Sequence, residues 1–276
     1  MSQEDQFLVI EAGHGERHYW KDLWRHRELL YFLAWRDILV RYKQTVIGVL
    51  WALIRPLVTI VVFSVVFGGL AKLPSDGMPY PILVSAAMLP WQFFAGAFSD
   101  IGNSLVGNAN LISKTYFPRL VIPASTVAVA FVDFLVSLAI LAGLMVWYGL
   151  MPDWRIIMLP ILVLVAAAAA LGAGLWVAAL NVKYRDFRFV IPFIVQIGLF
   201  VSPVGFSSNV IPEKWRFLYA VNPMVGVIDG FRWSLLSAPI HLYWPGFLLS
   251  LVLIAILLVG GVAFFRRTER TFADVI

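Results

Sequence analysis

The sequence predicts an all-α integral membrane protein with six transmembrane helices, an N-terminal amphipathic interface helix and external re-entrant half-helices before the last span. Two observations predict this class. Hydrophobic residues make up 61% of the 276 residues and charged residues only 13%, whereas a soluble domain carries about 25% charged residues. Six segments long enough to cross a bilayer also hold almost no charge. Lipid can surround that much apolar surface, whereas a soluble fold of this size could not bury it.

The spans follow from the stretches that lack charge. A run such as VLVAAAAALGAGLWVAAL is continuous and rich in Ala and Leu, which favours a helix over the alternating pattern of a barrel strand. Only Arg55 and Asp133 place a charge inside a predicted span. The six spans are predicted at 46–71, 77–99, 120–150, 156–182, 189–206 and 243–265.

Residues 1–45 form a polar segment before the first span, and residues 266–276 form a tail after the last. Within the first segment, aromatic and apolar residues recur at steps of three, four or seven and therefore share one helical face. They are Trp20, Trp24, Tyr31, Trp35, Leu39 and Tyr42. The pattern predicts an amphipathic helix at the cytoplasmic membrane interface, either as an anchor that orients the first span or as a gate.

Lysine and arginine predict the orientation of the chain. Fifteen of them lie on the side that holds both termini and the second and fourth loops, and only five lie on the opposite side. Because cytoplasmic loops carry the excess of Lys and Arg, both termini are expected in the cytoplasm. The predicted location is therefore the cytoplasmic (inner) membrane, with several passes.

The region 207–240 is predicted to lie on the external side. Pro203, Pro212, Pro223 and Pro239 interrupt helices here, and the apolar pieces between them are too short to span. Re-entrant half-helices fit this pattern if protein or water satisfies their ends. A soluble external cap is the alternative.

The sequence lacks the motifs of several catalytic classes. It contains no Gly-Lys dipeptide, so an ATP-binding GxxxxGK[ST] loop is impossible, and it contains no GxSxG elbow. The four histidines are scattered, which predicts no metal site. The basic residues cluster between apolar runs, which argues against a nucleic-acid partner. We therefore expect no enzymatic activity, and no cofactor, in this chain; ATP, if used, must be hydrolysed by a partner.

Arg55 and Asp133 lie at similar depths within their spans. Arg55 follows Lys43 by about 18 Å of helix and Asp133 follows Arg119 by about 21 Å, at a rise of 1.5 Å per residue. An isolated charge at such depth costs about 2.5–3.5 kcal/mol on insertion scales. We expect the two to approach each other or to share a polar network. The alternative is that Arg55 meets a polar molecule during its passage.

Several motifs in order resemble one family. They are RYKQTVIGVLWALIRP at 41–56, SKTYFPRLVIP at 113–123, NVKYRDF at 181–187, and SPVGFSSNVIPEKW with AVNPMVGVIDGFRW within 202–233. Together they resemble the permease subunit of ABC transporters that export polysaccharides such as O-antigen, capsule or teichoic acid. The resemblance covers residues from about 20 to 270.

The resemblance implies a homodimer that pairs with two separate ABC ATPase subunits, which bind ATP and magnesium. It also implies a substrate polysaccharide linked to undecaprenyl pyrophosphate. A coupling loop at 107–120 would dock on the ATPase, and the loop near Lys183 would make a second contact. The implied contacts are Lys114, Tyr116, Phe117, Pro118, Arg119, Lys183, Arg185 and Asp186. The alternative for the loop charges is that they only set the orientation of the chain.

A path for a sugar polymer needs hydrogen-bonding groups together with aromatic faces. Arg41 and Lys43 are expected to engage the pyrophosphate. Aromatic residues of the first two spans either line the path or serve the interface belt or helix packing. The full candidate set is Arg41, Tyr42, Lys43, Trp51, Arg55, Phe63, Phe67, Trp91, Phe94 and Phe98.

Two other functional classes are possible from the sequence. An ion-coupled secondary transporter would need a buried site at broken helices, for which only Asp133 and Asp100 qualify. A membrane-embedded glycosyltransferase or acyltransferase would need a catalytic acid or a histidine cluster, and the sequence offers no convincing one.

Overall fold

Helices are the regular elements of the described part of the chain. The computed structural model describes residues 19–43, 48–236, 240–269 and 272, and every regular element among them is helical, which confirms the all-α class. The first helices are α1 (Tyr19–Arg25), α2 (Arg27–Lys43), α3 (Gly48–Phe63), α4 (Tyr80–Gly107), α5 (Ala109–Lys114) and α6 (Val121–Trp147). They are followed by α7 (Leu159–Lys183), α8 (Phe187–Val201), α9 (Glu213–Tyr219), α10 (Pro223–Leu235) and α11 (Trp244–Thr268).

Five helical segments are long and apolar enough to cross a membrane. They are Leu53–Leu70, Tyr80–Gly107, Val121–Trp147, Trp154–Lys183 and Trp244–Thr268. The first joins α3 to a π-helix at Ser64–Leu70, and the fourth joins a 3₁₀ turn at Trp154–Met158 to α7.

The predicted span at 189–206 corresponds to a shorter helix. Helix α8 has 15 residues, or about 22 Å of helix, against the roughly 30 Å of a hydrocarbon core. It ends at Val201 because Ser202 is extended and Pro203 follows. Proline disfavours the helical conformation of the residue before it, and the charge-free pattern alone did not show this stop.

Helix α4 lies at the centre of the bundle. It packs against α6, α7, α8 and α10, while α11 packs on the outer side of α7 and on α10. Two glycines allow the close approach of α7 and α11. A methyl group at Gly172 would lie 2.7 Å from the Leu258 backbone nitrogen, and one at Gly261 would lie 2.5 Å from the Gly172 carbonyl oxygen.

Contacts between distant segments define two ends of the bundle. At one end, which we call the basic end, Tyr19 at the start of α1 contacts Glu269 just beyond α11. At the opposite end the Tyr80 hydroxyl, at the start of α4, donates to the Gly205 carbonyl at 2.6 Å. The segments at the basic end are α1, α2, α5, residues 115–120 and residues 184–186. The segments at the opposite end are residues 71–79, 148–158, 202–222 and 240–243.

The region predicted as re-entrant, 207–240, folds into two short helices at the opposite end. Helix α9 starts after Pro212, and α10 starts at Pro223, where the Asn222 side chain accepts from the Met224 N–H at 3.1 Å. Proline suits a first helical turn because no N–H is needed there.

Parts of the predicted segments lie outside the described residues. The N-terminal segment 1–45 is described from Tyr19 to Lys43, and the tail 266–276 through Glu269 and at Phe272. Residues 44–47 and 237–239 are also outside.

Candidate functional site

A charged clamp joins the last turn of α2 to α4 and α6. The Arg41 guanidinium donates to Asp100 on α4 at 2.9 Å and to Asp133 on α6 at 2.7 Å. The Tyr42 hydroxyl donates to the other oxygen of Asp133. The side chains of Arg41, Asp100 and Asp133 are 37%, 30% and 42% exposed, so water partly screens the two ion pairs. The clamp holds the end of α2 against the bundle.

This clamp corrects the predicted partner of Asp133. The carboxylate pairs with Arg41 and Tyr42, not with Arg55. Arg55 is exposed on α3 and makes no ion pair among the described residues. The prediction was wrong because it compared only how deep the two residues lie in their spans. It did not consider that side chains of α2 reach Asp133.

The clamp also changes the protonation properties of its two α2 members. Burial alone lowers the pKa of Arg41, but the charges of Asp100 and Asp133 outweigh it, so the net pKa is raised. Burial and then the hydrogen bond to Asp133 raise the pKa of Tyr42 above its ordinary value. Arg41 therefore stays cationic and Tyr42 stays a donor at physiological pH.

Helices α1 and α2 present four members of the predicted aromatic face outward, whereas Leu39 and Tyr42 are half-buried. Trp20, Trp24, Tyr31 and Trp35 are each at least half exposed, and Tyr31 and Trp35 stack with ring centres 6.4 Å apart. Their opposite face buries Leu33. The helical periodicity read from the sequence is thus present, with a turn at His26 that separates the two helices.

The loop predicted to couple to an ATPase has an outer and an inner part. Helix α5 ends at Lys114, and Lys114 and Tyr116 are exposed at the basic end. Phe117 and Pro118 are buried, so they anchor the loop and do not offer a contact surface. Arg119 donates to the backbone carbonyl of Glu269.

The second predicted contact loop also lies at the basic end. Lys183, Arg185 and Asp186 are exposed there. The Lys183 ammonium lies 5.1 Å from the centre of the Tyr184 ring. The exposed parts of both loops therefore share one end of the bundle, although 70 residues separate them in the sequence.

The structure buries three of the candidate path aromatics inside the chain. Trp91, Phe94 and Phe98 are 5%, 8% and 1% exposed, so in this structure they pack the core and do not line a path. The ring centres of Phe63 and Phe67 are 5.2 Å apart, and both rings pack against Gly205. The side chain of Trp51 lies outside the described part of the chain. Aromatic composition could not distinguish these roles, because core and path use the same residue types.

The opposite end of the bundle holds a buried charge, Arg232, that sequence reasoning missed. Arg232 is 2% exposed and donates to the carbonyls of Phe206 at 2.9 Å and Val204 at 3.3 Å. Asp229, one turn earlier on α10, accepts from Ser208 at 2.7 Å. These bonds fasten the loop before α9 onto α10. The adjoining cavity of about 40 Å³ can hold only water. The signal in the sequence was an Asp and an Arg three residues apart within an apolar segment.

Comparison with known proteins finds similarity over most of the chain. A family model described as ABC-2 type transporter matches residues 28–236. The O-antigen export system permease protein RfbA of Klebsiella pneumoniae is 27% identical over 259 residues, which cover 90% of this chain and 95% of the relative. RfbA of Myxococcus xanthus is 26% identical, covering 77% of this chain and 82% of the relative. The inner membrane transport permease YadH of Escherichia coli K12 is 22% identical, covering 75% and 85%.

Proposed function

This chain belongs to the ABC-2 type transporter family, and from that premise we propose that it is the permease subunit of an O-antigen-type polysaccharide exporter. The observation that carries the proposal is the near full-length similarity to permeases named for O-antigen export in two species. The sequence has no loop of the GxxxxGK[ST] type, so the ATP would be bound and hydrolysed, with magnesium, in partner subunits. The family match favours this function over an ion-coupled transporter.

We propose six crossings of the inner membrane, with the basic end in the cytoplasm. The excess of Lys and Arg at that end supports this orientation. Helix α8 would be the fifth crossing. Residues 202–207, which are non-helical, would complete the crossing. Non-helical backbone is tolerated at membrane depth only where protein or water satisfies its polar groups. The bonds from Arg232 to Val204 and Phe206 are such protein contacts, and they support α9 and α10 as external re-entrant elements.

A homodimer would give the exposed face of α3 a function. The span Leu53–Leu70 is 11% buried in the single chain, and it carries Arg55 outward among apolar residues. A cation at that depth is costly against lipid but is tolerated beside a polar channel. We infer that this face lines the passage between two copies, and that two ATPases dock on the exposed parts of the loops at Lys114 and Lys183.

The substrate would be a polysaccharide linked to undecaprenyl pyrophosphate, which enters from the cytoplasmic side along α2. Lys43 and Arg55 make no ion pair among the described residues, so both are free to meet a phosphate. Arg41 is already engaged by two carboxylates and could bind pyrophosphate only by exchanging them. Lys43 and Arg55 are therefore better candidates in this conformation than Arg41.

Reconstitution tests this function directly. The chain is purified with a partner ABC ATPase and placed in proteoliposomes that contain undecaprenyl-pyrophosphate-linked O-antigen. We expect ATP-dependent transfer of the glycan across the bilayer. The matched control is the same complex with an ATPase whose phosphate-binding lysine is replaced. Equal transfer by the control, or no transfer by the intact complex, would contradict the proposal.

A further inference from the structure

Three segments far apart in the sequence meet in one partly buried cluster at the basic end. The cluster consists of Tyr19 from the start of α1, Arg119 from the end of the coupling loop, and Arg266, Glu269 and Phe272 from the end of the chain. We call these five residues the terminal joint. The hydrogen bonds Tyr19–Glu269 and Arg119–Glu269 close it across 250 and 150 residues of sequence.

Tyr19 connects the N-terminal helix to the end of α11. It is only 8% exposed, although its neighbour Trp20 is 57% exposed. Its hydroxyl donates to the Glu269 carboxylate at 2.9 Å, and the Arg266 guanidinium lies 4.6 Å from the centre of its ring. Burial and then the negative charge of Glu269 raise the pKa of Tyr19, so the phenol remains a donor across the physiological range.

Arg119 connects the coupling loop to the same place. Its guanidinium donates to the Glu269 carbonyl and lies 5.9 Å from the centre of the Phe272 ring. Phe272 is 1% exposed and packs edge-on against Phe265 of α11, with ring centres 5.4 Å apart. The end of the loop is therefore fixed to α11, whereas its outer part at Lys114 is exposed.

Helix α11 has few other routes to the coupling loop. It packs on α7 and α10, and the loop runs between α4 and α6. A force applied to the exposed part of the loop would reach α6 along the chain, and among the described residues the terminal joint supplies a direct link from the loop to the end of α11. The joint also carries the force to α1, because Tyr19 and Arg119 both bind Glu269.

We propose that Tyr19 and Glu269 are positioning residues that make the coupling loop, α1 and α11 move as one unit when the ATPase acts. This inference rests on the proposed function, because an ATPase must push on the loop. It assigns a role in coupling to two residues that lie outside the coupling loop, one at the start of α1 and one just beyond α11.

Tyr19→Phe is the sharpest variant, because it removes one hydroxyl and leaves the ring beneath Arg266. We expect the purified complex to keep its ATP hydrolysis but to export about tenfold less glycan per ATP, the factor for a lost hydrogen bond to a charged group. Tyr148→Phe, the same change at the opposite end, is the control. The double variant Tyr19→Phe, Glu269→Ala should lose no more than Glu269→Ala alone, since both act through one bond. A purely structural role would lower ATPase activity and the yield of complex together.

A distance measurement tests the joint without any substrate. The chain has no cysteine, so spin labels can be attached at exposed Asn110 on α5 and Arg267 on α11 in complexes where one copy is labelled. We expect ATP binding to leave the distance between the labels unchanged in the native chain and to change it in Tyr19→Phe. A distance that changes in the native chain, or stays constant in the variant, overturns the inference. If the native complex exports no glycan but the distances behave as expected, only the proposed function fails.

Discussion

Helices α3 and α4 are neighbours in the sequence and both are apolar, yet they have opposite environments. Of the most apolar 18-residue stretch of the α4 span, 78% is buried within the chain, against 11% of the corresponding stretch of the span that begins with α3. The span of α3 is nevertheless the more apolar of the two. Hydropathy therefore indicates that a segment prefers lipid to water, but it does not show whether lipid or protein will surround it.

Small and hydroxyl-bearing residues explain the central position of α4. Ser85, Ser99 and Ser104 donate to carbonyls of their own helix, which satisfies their hydroxyls without outside partners. Gly102 lets Ile191 of α8 approach closely, and its carbonyl accepts from Asn181 of α7 at 2.9 Å. Between helices in a membrane, close packing and such hydrogen bonds replace the hydrophobic effect. Helix α3 offers mainly branched apolar residues outward, which suit lipid or a second copy.

The largest contrast is expected from truncating one buried and one exposed side chain. Phe98→Ala on α4 removes a fully buried ring and should cost about 3–5 kcal/mol of stability. Val62→Ala on α3, where the side chain is 49% exposed, should change stability by no more than about 0.5 kcal/mol. Thermal unfolding of the purified chain in detergent measures both. Equal losses would show that the two helices do not differ in packing.

Glycines provide a second, smaller contrast. Gly172→Ala should destabilise the chain by about 1–3 kcal/mol, because the new methyl group meets the backbone of α11 and the helices must separate. Gly69→Ala, in the π-helix after α3, meets no atom within 4 Å and should be neutral or slightly stabilising. Thermal unfolding compares the pair. If Gly172→Ala were as stable as Gly69→Ala, the close contact between α7 and α11 would be refuted.

The clamp at Arg41 tests how the exposed N-terminal helices are attached to the bundle. Arg41→Gln leaves Asp100 and Asp133 without their cation and should cost about 1–2 kcal/mol, less than a fully buried pair because water screens it. Adding Asp133→Asn should restore part of the loss. Lys43→Gln, a nearby cation without an ion pair among the described residues, is the control in the same unfolding measurement. Failure of the second change to restore stability would argue against the clamp.

The smallest effect on stability is expected at Arg55, on the exposed face of α3. Arg55→Gln should change stability by no more than about 0.5 kcal/mol, because no ion pair among the described residues is lost. Glycan export in proteoliposomes should fall about tenfold if the residue meets a phosphate. Lys72→Gln, an exposed cation beyond the span, is the control. Unchanged export would place the α3 face outside the path.

Segments whose structure depends on local composition could be predicted. The spans at 77–99, 120–150 and 156–182 overlap α4, α6 and α7, and the face that carries Trp24 and Tyr31 is exposed as its period indicated. The length of α8 was overestimated because absence of charge says nothing of where a proline stops a helix. Of the candidate path aromatics, Trp91 and Phe98 take the packing alternative in this structure, and composition could not decide this because the same ring can fill a core or line a channel.

The sequence by itself determined that this chain is a set of apolar helices, because the free energy of placing a segment in lipid sums over the residues of that segment alone. It also excluded an ATP-binding loop of the GxxxxGK[ST] type from this sequence, since such a loop is a local motif. Only the tertiary structure decided that Asp133 meets Arg41, and that Glu269 joins Tyr19 to Arg119. Such contacts depend on distances between segments separated by many residues, and no local pattern encodes those distances.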